Sequence, residues 1–329
     1  MNEYDETTDF KHHQAEFESL RWHLEQVGDP SFLEGAVVLD IGGGAGMHAG
    51  FLAHHAGRVT TIDIVDPNVT FGGEFLKLLK EKYARHGIDL DITTVEFQRA
   101  DAMDLPYKDA RFDLVVSWNA FEHIPDPGQA LLEALRVTRP GGLLFVSFDP
   151  IWTADSGRHF SAFVPEPWAH LVLDEREFIE RMRNAGATEG QCEEFSFAMN
   201  KVRLAEFEKL FGKVEVDSLG KIESQNSWSG TISEHSTEHP NYVAALSLGY
   251  TERELLTRGL SFVIRRSGVP VGAFAPTPVG RDDGACESTD PERVRALEAQ
   301  LEAVLGSRSW RLAAPLRAIS SFLKNMAPR

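Results

Sequence analysis

Apolar residues fall along this chain in two rhythms. Phe17, Leu20, Leu24 and Val27 recur at three- and four-residue steps. That is one buried helix face, and it predicts a helix over 13–27 behind a frayed start at 1–12. From Ala36 the rhythm changes to short continuous apolar runs separated by amphipathic stretches. The runs at 36–41, 59–64, 91–98, 112–117 and 143–148 predict strands, and the stretches at 46–56, 71–86 and 127–137 predict helices. The second of these helices presents Phe75, Leu78, Leu79 and Tyr83 on one face. Strands that are apolar throughout must be covered on both sides. The pattern therefore predicts an α/β domain with a mostly parallel sheet and helices on both faces.

After Phe148 the alternation breaks. Residues 149–173 read as irregular and aromatic. Asp174 with Glu177 three positions on reads as a capping box opening a helix. A helix is expected at 202–211 and strands at 214–216 and 260–265, with the polar run Ile222–Asn241 between those strands. Residues 267–291 hold four Gly and four Pro, a linker composition. Val294, Leu297, Leu301 and Val304 then repeat at 3-4-3 spacing, a two-heptad helix too short for a free coiled coil. The chain thus divides into a lead-in helix (1–30), an α/β domain (31–266), a linker (267–291) and a heptad helix with a tail (292–329).

Charge and composition narrow the function classes. The 329 residues carry a net charge of −17, which repels phosphate backbones and argues against a nucleic-acid substrate. Cys192 and Cys286 match no zinc or redox spacing and fit free thiols in a reducing cytoplasm. The acidic start, Met1 to Glu6, is unlike a signal peptide, and no run of 18 apolar residues occurs. The expected location is the cytoplasm. No metal site is expected: His235 and His239 stand at i, i+4, but in a polar run that reads as loop.

The chemistry concentrates where the first strand ends, in Val37-Val38-Leu39-Asp40-Ile41-Gly42-Gly43-Gly44-Ala45-Gly46. Glycines at 42, 44 and 46 allow a tight turn with a ligand against its backbone and a helix N-terminus facing that ligand. Gly44-x-Gly46-x-x-Ala49 also has the spacing of a dinucleotide turn. Asp40, however, would repel a pyrophosphate and welcome a cation, such as a ligand with a sulfonium and an ammonium. Asp63 closes the next strand 17 residues beyond Gly46, near the distance at which an acid grips ribose hydroxyls.

These residues resemble the class I, Rossmann-like S-adenosylmethionine-dependent methyltransferases over roughly 35–150. Asp40, Gly42, Gly44 and Gly46 match that family's first motif and Asp63 its ribose-binding acid. Asp101 and Ala102 match its adenine-side motif, Phe112 to Ser117 its fourth strand, and Arg139-Pro140-Gly141-Gly142 the turn before the fifth. The resemblance implies a seven-stranded sheet with an antiparallel last strand. It also implies S-adenosyl-L-methionine as cofactor, with Ser117 and Trp118 bordering it at the fourth strand's end. Some members with a pair like Glu122-His123 here methylate phenol-type hydroxyls, which makes His123 a catalytic candidate beside a plain turn-shaping role.

Residues 149–200 and 217–258 must both emerge at the methyl-donor edge, as α-helical cap insertions. Trp152, Phe160, Phe163 and Trp168 suit either a sugar or the cap's own core. His159, on the turn after Asp155-Ser156-Gly157-Arg158, and the more packed His170 are candidate bases. The segment Ser307 to Arg317 resembles a tail on enzymes of bacterial cell-surface polysaccharide pathways. From Ser307 to Arg329 there are five basic residues and no acidic ones, so 307–329 reads as a helical tail that docks on a partner or on anionic lipid at the membrane's inner face, or folds back on its own acidic body. The resulting expectation is O-methylation of a sugar hydroxyl in a surface polysaccharide or its precursor. A phenolic or lipid-linked acceptor, a non-catalytic cofactor-binding scaffold working through its tail, and a nicotinamide enzyme are the competing readings.

Overall fold

The structure, a computed structural model, describes residues 6–27, 31–70, 72–157, 160–197, 199–207, 209–210, 223–227 and 237–266. The expected strand at 214–216, the linker at 267–291, the heptad helix and the tail lie outside the described residues.

Helix α1 (Glu6–Gln26) precedes strand β1 (Val37–Ile41), helix α2 (Met47–Ala53) and strand β2 (Arg58–Asp63). Helices α3 (Pro67–Thr70) and α4 (Phe75–Arg85) lead to β3 (Val95–Arg99). Then come β4 (Phe112–Trp118), α5 (Pro127–Val137) and β5 (Thr138–Phe148). The sheet order is β3-β2-β1-β4-β5-β7-β6, where β6 is Glu223–Ser227 and β7 is Leu260–Arg265. The first five strands are mutually parallel, and β7 runs antiparallel to both β5 and β6. The strand order reverses between β1 and β4, which opens a crevice above their carboxyl ends. One apolar layer packs α5 against Leu39, Ile41, Val115, Leu144 and Val146. The opposite layer packs α1, α2 and α4 against Val38, Leu114, Val116 and Phe145.

Four expectations need correction. Helix α1 begins at Glu6, because Phe10 stacks on His86 at 3.9 Å and packs on Phe51 and Tyr83. Lys82 Nζ and Arg85 Nε, 2.9 Å from Asp9 and 2.8 Å from Glu6, fix the same turn. Strand β3 starts only at Val95, since Asp91 accepts a hydrogen bond from the Thr93 amide and caps a 3-10 turn over Ile92–Thr94. Strand β5 starts at Thr138, so Arg139-Pro140-Gly141-Gly142 lies inside an irregular strand. The Gly141 amide bonds the Arg266 carbonyl, and the Arg266 amide the Gly142 carbonyl. Finally, β6 falls within the polar run at 222–241: Glu-Ser-Gln-Asn-Ser is an edge strand, and an edge strand needs no apolar run.

The cap comprises α6 (Ala169–Val172), α7 (Glu175–Asn184), α8 (Glu189–Phe197), α9 (Pro240–Ser247) and α10 (Glu252–Leu256). Asp174 accepts from the Glu177 amide at 2.7 Å, but the Glu177 carboxylate pairs with Arg181 instead of returning to the cap; the reciprocal capping box occurs at Thr251 and Glu254. Trp152, Phe160, Phe163 and Trp168 join Phe178, Phe195, Tyr242 and Leu255 in the cap's own apolar core. Trp168 is fully buried, with its indole N–H on the Leu255 carbonyl. Of the two uses the aromatic run suits, packing is the one these rings perform.

Candidate functional site

The glycine turn sits over two carboxylates. Asp40 is 1% exposed and accepts a hydrogen bond from the Thr61 hydroxyl at 2.9 Å. Burial lifts its carboxyl to about 7, with nearby Asp63 adding to the rise. It thus braces the turn from beneath. Asp63, at the open edge, accepts from the Gly44 amide and the Val65 amide, each at 3.0 Å. Burial raises its pKa too, partly offset by those amides. Gly44 has φ +49°, and no atom lies within 4 Å of where a side chain would begin. A β-carbon on Gly42 would collide with that of Ala120, so the turn abuts the segment following β4. Gly46, the residue before α2, has φ +72°.

Asp101 uses one carboxylate oxygen to accept from the Met103 amide at 2.8 Å, and neighbouring Ala102 packs partly buried on the sheet core. The side chains of Ser117 and Trp118 are buried under the crevice. The Ser117 hydroxyl donates to the Ile41 carbonyl at 2.9 Å and thereby ties β4 to β1 just before the turn. Trp118 points to the α1 side, where its ring stacks on His48 at 4.2 Å and its N–H reaches the Glu16 carbonyl at 3.3 Å.

This last contact belongs to a polar group that sequence reasoning missed. One Glu16 carboxylate oxygen accepts from the Asn119 side-chain Nδ2 at 2.7 Å, and the other lies 3.0 Å from His48 Nε2. Asn119, held at φ +48°, in turn accepts from the Asp149 amide at 3.1 Å. Although burial works against ionisation, His48, His13 and His12 around it pull the Glu16 carboxyl down to about 2. The segments involved are 32 and 103 residues apart, so only the tertiary fold brings them together; the one local hint was His12, His13 and Glu16 at helical spacing.

The histidine candidates separate. His123 is 40% exposed in its side chain, with Nε2 3.7 Å from Glu122 Oε1. His170 is buried in the cap, with Nε2 2.7 Å from the Trp152 carbonyl and its ring edge-on to Trp152. His159 and His235 lie outside the described residues. His239 caps α9, accepting from the Asn241 amide. Among the described residues no group of three or more His, Cys, Asp or Glu could hold a metal ion.

Residues 39–146 match the family model described as a methyltransferase domain. The cofactor of this domain is S-adenosyl-L-methionine. The matched stretch contains the whole glycine turn, Asp63, Asp101 and the segment after β4. Among curated relatives, a protein of Mycobacteroides abscessus described as an uncharacterized methyltransferase is 35% identical over 136 residues, 41% of this chain and 48% of the relative. A Mycobacterium leprae protein of the same description is 35% identical over 125 residues, 38% and 41% of the two chains. The chain thus spans about half the length of the curated relatives it matches. Among solved structures, magnesium protoporphyrin IX methyltransferase from Synechocystis with bound S-adenosylhomocysteine superposes with a TM-score of 0.41 at 16% identity, over 78% of this chain and 84% of that one.

The residues fit this cofactor. Gly44 leaves its backbone open to a ligand; a cation there would draw the raised carboxyls of Asp40 and Asp63 back toward ionisation, whereas a pyrophosphate would push them further up. Asp63 and Asp101 stand at the ends of neighbouring chain segments, each with acceptor capacity left over.

Proposed function

We propose that the protein is an S-adenosylmethionine-dependent methyltransferase acting on a hydroxyl, with a sugar of a bacterial surface polysaccharide or its precursor as the acceptor class. The observation that carries the methyltransferase reading is the open Gly44 backbone, bonded to Asp63 and following Gly43 over Asp40, within the segment that matches the methyltransferase domain. The resemblance of Ser307–Arg317 to polysaccharide-pathway tails supports the acceptor class. Cytoplasmic location and docking through 307–329 belong to the same reading; among the described residues no helix is long and apolar enough to cross a membrane.

In this reading Asp63 accepts the ribose hydroxyls, Asp101 the adenine amino group, and the Gly42–Gly46 backbone lies along the amino-acid end. The cofactor supplies a methyl group on a positively charged sulfur, a good leaving group. The protein's contribution is alignment of acceptor oxygen, carbon and sulfur, and the cap covers that edge. Its two excursions meet there: the Ile151 amide bonds the Arg258 carbonyl, and Arg258 pairs with Asp149 at 2.9 Å.

Calorimetry against S-adenosylmethionine, S-adenosylhomocysteine and NAD tests the first half. Binding of the first two and not the third is expected, and NAD binding alone would replace this reading with a nicotinamide enzyme. An acceptor panel of sugar nucleotides, glycans, phenols and lipid-linked metabolites tests the second half; transfer to a phenol alone removes the polysaccharide assignment.

A further inference from the structure

Glu122 lies in the turn between β4 and α5, is 1% exposed, and neither of its carboxylate oxygens has a hydrogen-bond partner among the described residues. Its surroundings are otherwise carefully satisfied. The Asn200 amide bonds the Glu122 carbonyl at 2.8 Å, and the Asn200 side chain bonds the carbonyls of Phe121 and Ile124 at 2.7 and 2.9 Å. The backbone of the turn is therefore clamped while the side chain is left unmated. A buried carboxyl without a partner destabilises a fold, and such a group calls for a specific explanation.

Position supplies one. Two residues earlier, Ala120 abuts Gly42 of the glycine turn. The turn stands at the carboxyl end of β4, beside β1, where the strand order reverses. The charged groups that face Glu122 are His123, too far at 3.7 Å for a hydrogen bond, and the carboxylates of Asp149 after β5 and Glu16 on α1. Two neighbouring carboxylates exclude an anionic ligand and favour a hydrogen-bond donor or a cation.

We propose that Glu122 is the base of the transfer, placed beside the sulfonium and receiving the acceptor's hydroxyl proton. This rests on the methyltransferase reading above. The acceptor oxygen forms its bond to the methyl carbon as the carbon–sulfur bond breaks, and sulfur keeps that electron pair. The hydroxyl proton passes to a Glu122 oxygen. One positive sulfur and one carboxylate become a neutral thioether and a neutral carboxylic acid, a loss of charge that a buried site favours. In the free protein, burial holds Glu122 well above the ordinary carboxylate range against the pull of its own backbone amide, with the carboxylates of Asp149 and Glu16 adding to the rise; a positive charge beside it draws it back toward ionisation.

The test needs no acceptor. S-adenosylmethionine and S-adenosylhomocysteine share the ammonium and the ribose, and only the first carries the sulfonium. Calorimetric titrations near pH 7, in buffers of differing ionisation enthalpy, count the protons released by each. The wild-type protein should release more with S-adenosylmethionine than with S-adenosylhomocysteine. Glu122→Gln should abolish that difference while leaving S-adenosylhomocysteine affinity within about threefold. The variant's melting temperature should stay close to that of the wild type near pH 7, because a neutral amide of the same shape takes the place of a carboxyl that burial already holds toward its neutral form. Equal release for the two ligands in the wild type, a difference that survives in Glu122→Gln, or a variant that melts well below the wild type overturns the proposal. If neither ligand binds the wild type, the methyltransferase reading itself fails, and that outcome is distinct from the others. With any hydroxyl acceptor the wild type methylates, Glu122→Gln should lower turnover by roughly 10²–10⁴-fold. Unchanged turnover counts against it.

Discussion

Asp40 and Asp63 do different work although both are acids closing neighbouring strands. Asp63 has its carboxylate at the open edge, so Asp63→Ala should weaken S-adenosylhomocysteine binding by roughly 10–100-fold, the worth of a charge-assisted hydrogen bond. Isothermal calorimetry on the folded variant checks it, and unchanged affinity removes Asp63 from the site. Asp40 is buried, and its carboxyl is raised from 3.8 to about 7. The native state therefore holds a proton that the unfolded chain has lost across that interval. The stability this provides is complete below about pH 3.8 and disappears as pH rises through about 7. Asp40→Asn should then flatten the decline in melting temperature between pH 5 and 8. Parallel melting curves for wild type and variant would refute this by coinciding in slope. Both acids were legible in the sequence because a strand, an acid and a glycine turn are local and contiguous. Glu122 was legible only as one half of a pair with His123; what sets it apart is a missing partner, and no sequence pattern records that.

Helix α1 does more than lead into the domain. Through Glu16 it joins α2 at His48 and the end of β4 at Asn119, so the first helix is fastened to both walls beside the glycine turn. Glu16 is lowered from 4.5 to about 2, so its contribution is present above pH 4.5 and is lost as pH falls through about 2. Glu16→Gln should cost roughly 1.5–3 kcal/mol at pH 7, as expected for hydrogen bonds to a charged group, and much less near pH 2. Denaturant melts at the two pH values measure it; an equal cost at both would place the effect in packing rather than charge. The interior strands and α5 could be read from the chain because burial on both faces, or on one stripe, writes its own periodicity. The start of α1, the irregular opening of β5 and the polar edge strand β6 could not. Their stability comes from Phe10 on His86, from Gly141 and Gly142 bonding Arg266, and from pairing with β7.

At the scale of the whole molecule, the described residues between 6 and 266 build two apolar layers and a separate cap core. Cutting after residue 270 should leave cofactor affinity and melting temperature unchanged. Removal of the five cations of 307–329 should abolish sedimentation with anionic vesicles or an assembly partner, since each contributes at most about 1 kcal/mol and less as salt rises. Vesicle pull-down beside calorimetry of both lengths decides it: loss of cofactor binding in the shorter form would make the tail part of the core.

Because β7 runs against the five parallel strands, the chain leaves the sheet at the end where those strands begin. Arg266 is moored there to the carbonyls of Arg136 and Thr138. The crevice opens at the other end. Arg266 therefore stands at the molecule's heel, and the crevice faces the opposite way. Anything bound at that heel would leave the crevice unobstructed, like a hand on a lamp's base, and small molecules could still reach the mouth from the open side.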